Sequence, residues 1–299
     1  MAVAYGGPMV VGGNHAGGAR LAGVFDRSGK QSGHAPGTRL RCVDPSLDVC
    51  NRRDDWEWTT IVHILPALVA GLGLLCSGRS GWRNEVLAAL LFLFTLVKPS
   101  ISAPFFWIVL FSAGTLRPAA LVALGYAGLT LIAASFQRSS ILTLLQSWLA
   151  NPALGQSGEM NLRAWLVDLG LGRWSLPASA LALTALGFWT YRHRRADLWL
   201  LMGVAALVSR MWTYHRWYDD LLILLPMMAL FRITKAGSSD HSDIVAGGLL
   251  GVATLAMLAP GGLYLFPQPW NTLYTSGQII VWIMLLIFLL DQARRTRSN

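Results

Sequence analysis

From Trp58 onward, apolar stretches follow one another with short polar links between them. They run from Trp58 to Cys76, Val86 to Val97, Ala103 to Ala113, Ala119 to Ser135, Leu176 to Tyr191, Leu198 to Val208, Leu221 to Ile233, Ile244 to Ala259 and Leu273 to Leu290. Arg, Gly or Pro punctuates the links. The pattern predicts an all-α integral membrane protein, a multi-span helical bundle of about eight spans. The two stretches on either side of LVKPSIS are each about a dozen residues, near 18 Å at 1.5 Å per residue, and fall short of a hydrocarbon core of about 30 Å. They are expected to form either one kinked span or two half-helices. Pro99 has no backbone N–H, so such a break is tolerable only where protein or a water-filled cavity surrounds it.

Residues 1–55 do not share this pattern. They are rich in glycine and polar residues, as in GGPMVVGGNHAGGARLAG, and contain no apolar run long enough to cross a bilayer. A secretory signal needs a basic start and an apolar core, which Met1 to Val11 does not supply. The expected organisation is a poorly structured segment over 1–55 and a transmembrane domain over 56–299. The abruptness of the change suggests that the first segment is a poorly defined start of the reading frame.

Composition reinforces the membrane reading. The chain is 54% hydrophobic and 13% charged, too few charges to solvate the surface of a soluble protein of this size. The net charge of +9 is carried mostly by arginine, since the only lysines are Lys30, Lys98 and Lys235. These cations fall in the links between apolar runs rather than along one polar face, which argues against nucleic acid and for anionic headgroups and phosphates. The most basic links are Tyr191 to Arg195, Phe231 to Lys235 and the C-terminal ARRTRSN, and the positive-inside rule assigns them to the cytoplasm. The link before Leu176, the MWTYHRWYDD stretch and GGLYLFPQPWNT then face the periplasm or cell exterior. The longest outside link runs from Phe136 to Ser175, and Ser140 to Leu149 within it has the spacing of an interfacial helix.

Three places carry candidate chemistry. Lys98 stands between two apolar runs, where a charge costs roughly 2.5 to 3.5 kcal/mol. It is either an ammonium that meets a lipid-linked phosphate at a broken helix, or a lysine that snorkels to the interface or pairs with a carboxylate. The stretch SRMWTYHRWYDDLLILLP gathers Arg210, His215, Arg216, Asp219 and Asp220 among Trp212, Tyr214, Trp217 and Tyr218. There arginines can neutralise a phosphate, a histidine can hold or protonate a reacting oxygen, and aromatic faces can stack on a sugar. The alternative is an aromatic belt with Arg–Asp pairs closing a helix end. The third place, GEMNLRAWLVDLGL, holds Glu159, Asn161, Arg163 and Asp168, and a short capped helix from Asn161 to Leu171 also accounts for it. Cys42, Cys50 and Cys76 have no metal-like spacing, and no ligand cluster argues for a metal. No P-loop, HExxH or G-x-S-x-G motif occurs, which weakens nucleotide-driven transport and hydrolase chemistry. The pair Gly247–Gly248 reads as close helix packing.

In this order, FLFTLVKPSISAPFFWIVLF, GEMNLRAWL and SRMWTYHRWYDDLLILLP resemble the membrane glycosyltransferases of family 87, polyprenyl-phosphate-sugar-dependent enzymes of the GT-C class. The resemblance covers about Trp58 to the C-terminus. It implies a GT-C-like bundle that transfers a hexose, mannose by expectation, from a polyprenyl-phosphate donor to a glycan or glycolipid acceptor at the outer face of the plasma membrane. On this resemblance Lys98 would sit near the donor phosphate, His215 would be a catalytic residue, and Arg210 and Arg216 would contact phosphate or sugar. Tyr214, Tyr218, Asn161 and Arg163 are added as substrate contacts, and Asp219 and Asp220 as the most plausible catalytic carboxylates. Members of the class take their catalytic carboxylate from the loop after a first span. No span precedes Asp54 and Asp55 here, so that residue is not carried over, and the chain is expected to be N-terminally truncated relative to the family. The implied partners are membrane lipids, the lipid-linked donor and the acceptor; no cofactor is expected. An inactive truncated relative and a lipid or solute transporter with a broken helix are the competing readings.

Overall fold

A computed structural model describes residues 45–77, 81–112, 114, 116–136, 140, 142–143, 166, 169–212, 217–237, 241–258 and 267–298, with backbone alone for 45–60, 217–219, 258, 275 and 296–298. Most of 1–55, of the interfacial helix expected at Ser140–Leu149 and of the capped helix expected at Asn161–Leu171 lies outside them. The chain divides into Ala2–Asp55 and a unit from Trp56 onward, and the account below concerns the latter.

Every regular element among the described residues is helical. In chain order they are α1 (Pro45–Cys76), α2 (Trp82–Thr95), α3 (Pro99–Ser102), α4 (Phe106–Ser112), α5 (Arg117–Ser135), α6 (Ser175–Arg192), α7 (Leu198–Trp212), α8 (Leu224–Ala236), α9 (His241–Leu258) and α10 (Trp270–Ser298), with 3-10 turns at Ala103–Phe105, Gly172–Trp174 and Trp217–Ile223. Local chemistry places several of the boundaries. Pro99 opens α3 and Pro118 opens α5, positions where a missing N–H costs no helical bond. Gly237 ends α8 in the left-handed conformation with φ of 61°.

The apolar runs around Lys98 are two half-length helices, one of the two expected outcomes. α2 runs for 14 residues, and the chain turns back at Leu96–Lys98 into α3 and α4. The reversal brings Phe106 back to Phe92, with ring centroids 6.4 Å apart, whereas a continuous helix would separate residues that far apart in sequence by about 21 Å. α1 packs against α2 as a second hairpin, with an added Cβ at Gly71 lying 3.3 Å from the Ala88 carbonyl oxygen.

α7 is the central helix. Nine of its residues are buried, including Leu201, Met202, Val204 and Leu207, and it packs on α6, α8, α10 and the tip of the α2–α4 hairpin. Gly203 explains how closely its neighbours approach: a Cβ there would meet the Pro226 Cα of α8 at 3.1 Å and Leu289 of α10 at 3.0 Å. Gly187 is similarly covered by the Trp107 indole, at 2.8 Å. The expectation for the Gly247–Gly248 pair is corrected by this comparison. Gly247 sees only an ordinary contact to Thr234, and Gly248 has nothing within 4 Å, because on α9 that position faces away from the bundle.

The helices therefore run between two ends. At one, α2 turns into α3, α7 finishes, and α6 and α10 begin; the Ser179 hydroxyl of α6 donates to the Trp212 carbonyl of α7 at 3.3 Å. At the other, α4, α6, α8 and α10 finish and α7 begins, marked by Phe111 edge-on to Tyr191 at 5.3 Å and by Arg232 on Asp197 at 3.2 Å. Arg192, Arg194, Arg195, Arg232, Lys235, Arg294 and Arg295 lie at this second end, hereafter the arginine end. Between the ends, large apolar side chains face outward, among them Leu124 at 73% exposure, Leu181 at 71% and Ile287 at 62%. Among the described residues, two helical segments, Arg117–Ser135 and Trp270–Arg295, are long and apolar enough to cross a membrane by length and composition; Ile61–Cys76, Pro99–Ser112, Leu198–Trp212 and His241–Met257 are apolar but shorter.

Candidate functional site

The hairpin tip shows how a polar break is accommodated in an apolar bundle. A proline has no N–H, so the carbonyl four residues before it loses its helical donor. For Pro99 that carbonyl belongs to Thr95, and for Pro104 to Ser100. Each finds another donor. The Ser102 hydroxyl donates to the Thr95 carbonyl at 2.8 Å, alongside the Lys98 amide at 3.2 Å. The Trp212 indole N–H donates to the Ser100 carbonyl at 3.3 Å. Ser209, fully buried, adds a hydroxyl bond to the Ile101 carbonyl at 2.9 Å. The last turn of α7 thus clasps the start of α3 through side chains more than a hundred residues away in sequence.

This clasp brings two of the candidate places together. Lys98 is the residue preceding α3, and Arg210 lies between Ser209 and Trp212 on the clasping turn. Arg210 Nε donates to Asp220 Oδ1 at 2.6 Å, with both side chains 13% exposed. Short distance and near-burial make this a charge-assisted bond rather than a solvated surface pair. Asp220 sits in the 3-10 turn Trp217–Ile223, which packs on α7 and α8.

The pair has neighbours that the sequence reading did not single out. Tyr274, in the first turns of α10, lies within electrostatic reach of Asp220. Its hydroxyl donates to the Ala256 carbonyl of α9 at 3.2 Å and accepts from Gln278 Nε2 at 2.8 Å. Gln278 is nearly buried, and Trp282, one turn further along, is 2% exposed, with no hydrogen-bond partner for its indole N–H among the described residues. The three share one face by their i, i+4, i+8 spacing. That spacing was the available signal, a polar stripe on an otherwise apolar helix.

Of the residues expected at a site, Lys98, Arg210 and Asp220 therefore lie at one end of the bundle. Asp219 and Tyr218 share the 3-10 turn by backbone, but their side chains are outside the description, as are Tyr214, His215, Arg216, Asn161 and Arg163 altogether. For Arg210 and Asp220, the closing of a helix end by an ion pair is realised. The bond engages Nε of the guanidinium, and the Nη groups lie outside it. Among the described residues no group of three or more His, Cys, Asp or Glu side chains is placed to hold a metal ion.

The class defined by these observations is an all-α bundle with a proline-broken hairpin clasped by a central helix and a partly buried Arg–Asp pair beside the clasp. No protein-family model matches the chain, and comparison with curated proteins and with solved structures returns no match.

Proposed function

We propose that the chain is a multi-span membrane protein of the GT-C type that transfers a hexose, expected to be mannose, from a polyprenyl-phosphate donor to a glycan or glycolipid acceptor. In this reading the end bearing Lys98 and Arg210 faces the periplasm or exterior, and the arginine end faces the cytoplasm. The observation that carries it is the convergence of the Lys98 break with the Arg210–Asp220 pair, opposite the end where most of the other basic residues gather. Outward-facing apolar side chains between the ends support a lipid environment, since a soluble monomer rarely exposes so much contiguous apolar surface. The helices shorter than a bilayer core are accommodated by tilt, by local thinning and by links that extend them.

In such a site the acceptor oxygen forms a bond to the sugar's anomeric carbon as the bond from that carbon to the lipid phosphate breaks. Lys98 and the Nη groups of Arg210 stabilise the departing phosphate, and a base takes the acceptor hydroxyl's proton. Asp220 already accepts a charge-assisted bond from Arg210 at 2.6 Å, so its Oδ1 is engaged in holding the guanidinium. That leaves His215 and Asp219 better suited as the base, with Asp220 orienting Arg210.

The test measures hexose transfer from a labelled polyprenyl-phosphate sugar in membranes containing the full chain. Lys98→Ala and His215→Ala are each expected to lower the rate by roughly 10²-fold, the scale for losing one group that stabilises transition-state charge. Unchanged transfer in both variants would refute the assignment. The half-length hairpin also suits a transporter, whose broken helices line a substrate path. Movement of a lipid-linked sugar between leaflets without any transfer would favour that reading.

A further inference from the structure

The basic stretch from Arg192 to Arg195 at the end of α6 is more than a marker of orientation. His193, at its centre, is turned inward and 7% exposed, its ring stacked on Trp189 at 4.8 Å and its Nδ1 2.9 Å from the Trp189 carbonyl oxygen. Its amide donates to that same carbonyl at 3.0 Å, and its own carbonyl accepts from the Ala196 amide at 2.8 Å. The buried histidine thereby pins a tight turn in which Arg192, Arg194 and Arg195 all point outward. Arg194 lies over the Tyr191 ring, 4.7 Å from its centroid, and this contact pre-orients the guanidinium without neutralising it. Among the described residues no carboxylate pairs with any of the three, while the nearby Asp197 is taken by Arg232. Exposed Tyr191 and Phe188 supply an apolar flank on the same helix end.

We infer that this turn is a binding site for the phosphate of an anionic phospholipid headgroup, with the acyl chains lying along the outward apolar face of α6. Arginine forks bind phosphate bidentately, and a rigid turn holds three of them without a competing carboxylate. The lipid is favoured over free phosphate because the apolar face of α6 continues from the turn through Phe188 and Leu181. The inference rests on the membrane placement proposed above but not on sugar transfer.

The experiment uses the full chain purified into phosphatidylcholine nanodiscs and in detergent, with thermal unfolding and native mass spectrometry as readouts. Phosphatidylglycerol is expected to raise the unfolding temperature and to be retained in the mass spectrum, and phosphatidylcholine and inorganic phosphate are not. The triple variant Arg192→Gln, Arg194→Gln, Arg195→Gln is expected to weaken phosphatidylglycerol binding by about a hundredfold, from roughly fivefold for each basic residue at an anionic surface. Arg173→Gln, which removes an exposed arginine at the opposite end, should leave it unchanged. Equal affinity in the triple variant, or stabilisation by inorganic phosphate equal to that by the lipid, would overturn the inference. A chain that fails to enter neutral nanodiscs would instead refute the membrane placement, and unaltered lipid binding in a chain without transferase activity would refute the enzyme reading alone.

Discussion

Replacing Arg210 by Gln, Asp220 by Asn, and both together measures how strongly the pair beside the clasp is coupled. With Nε and Oδ1 2.6 Å apart, the charge centres are about 4 Å apart, worth about 4 kcal/mol at an effective dielectric of about 20. Desolvation offsets part of that attraction, because each side chain retains only 13% of its exposure. A net coupling of about 1.5 to 3 kcal/mol is expected, the range for hydrogen bonds to charged groups. Each single variant strands one partly buried charge and should cost about 2 to 3 kcal/mol, while the double variant costs less than the sum of the two. Thermal unfolding in detergent reads this as a loss of about 2 to 4 °C per kcal/mol for a domain of this size. Because the pair is mostly shielded, raising the salt concentration should change the coupling little. A coupling under about 0.5 kcal/mol would mean a solvated pair, and the argument that Asp220 holds Arg210 in place would fail.

Other parts of the bundle make separate predictions. Gly203→Leu should destabilise the fold by about 1 to 3 kcal/mol because its side chain has no room between Pro226 and Leu289, whereas Gly248→Ala should be neutral or slightly stabilising; urea or thermal unfolding compares them. Tyr274→Phe removes the bond to the Ala256 carbonyl and should cost about 0.5 to 1.5 kcal/mol, with no loss in the same assay counting against the polar stripe on α10. Cys76 is an exposed free thiol where α1 ends next to the start of α2. In a background with Cys42 and Cys50 changed to Ser, an impermeant maleimide should label Cys76 in inside-out vesicles and spare it in intact cells. Labelling in intact cells would reverse the proposed orientation.

Much of the helical plan was legible because apolar runs and their Pro, Gly and Arg punctuation are local signals. The break at Lys98–Pro99 could be located to the residue, since a proline without an N–H interrupts a helix wherever it falls inside one. Whether the break bent a single span or reversed the chain was not legible, because the answer depends on what satisfies the Thr95 and Ser100 carbonyls. One donor, Ser102, is close in sequence, but Trp212 is 112 residues away. The same distance hid the convergence of Lys98 with Arg210. His193 was read as part of a basic link, and its inward turn depends on Trp189 beneath it. Tyr274 and Gln278 passed as ordinary members of an apolar helix because their role is defined by Ala256 and Asp220, on other elements.

The clasp also carries a timing problem for biosynthesis. The Ser100 carbonyl is made early, but its indole donor is added 112 residues later, which at about 5 to 20 residues per second is a wait of roughly 6 to 22 s. In the membrane placement proposed above, the nascent hairpin holds throughout that interval a carbonyl that lipid cannot satisfy. The first hairpin is therefore expected to linger beside the insertion machinery or within reach of water until the central helix arrives, and slowing translation between the two should raise the fraction of chains that are degraded before they are complete.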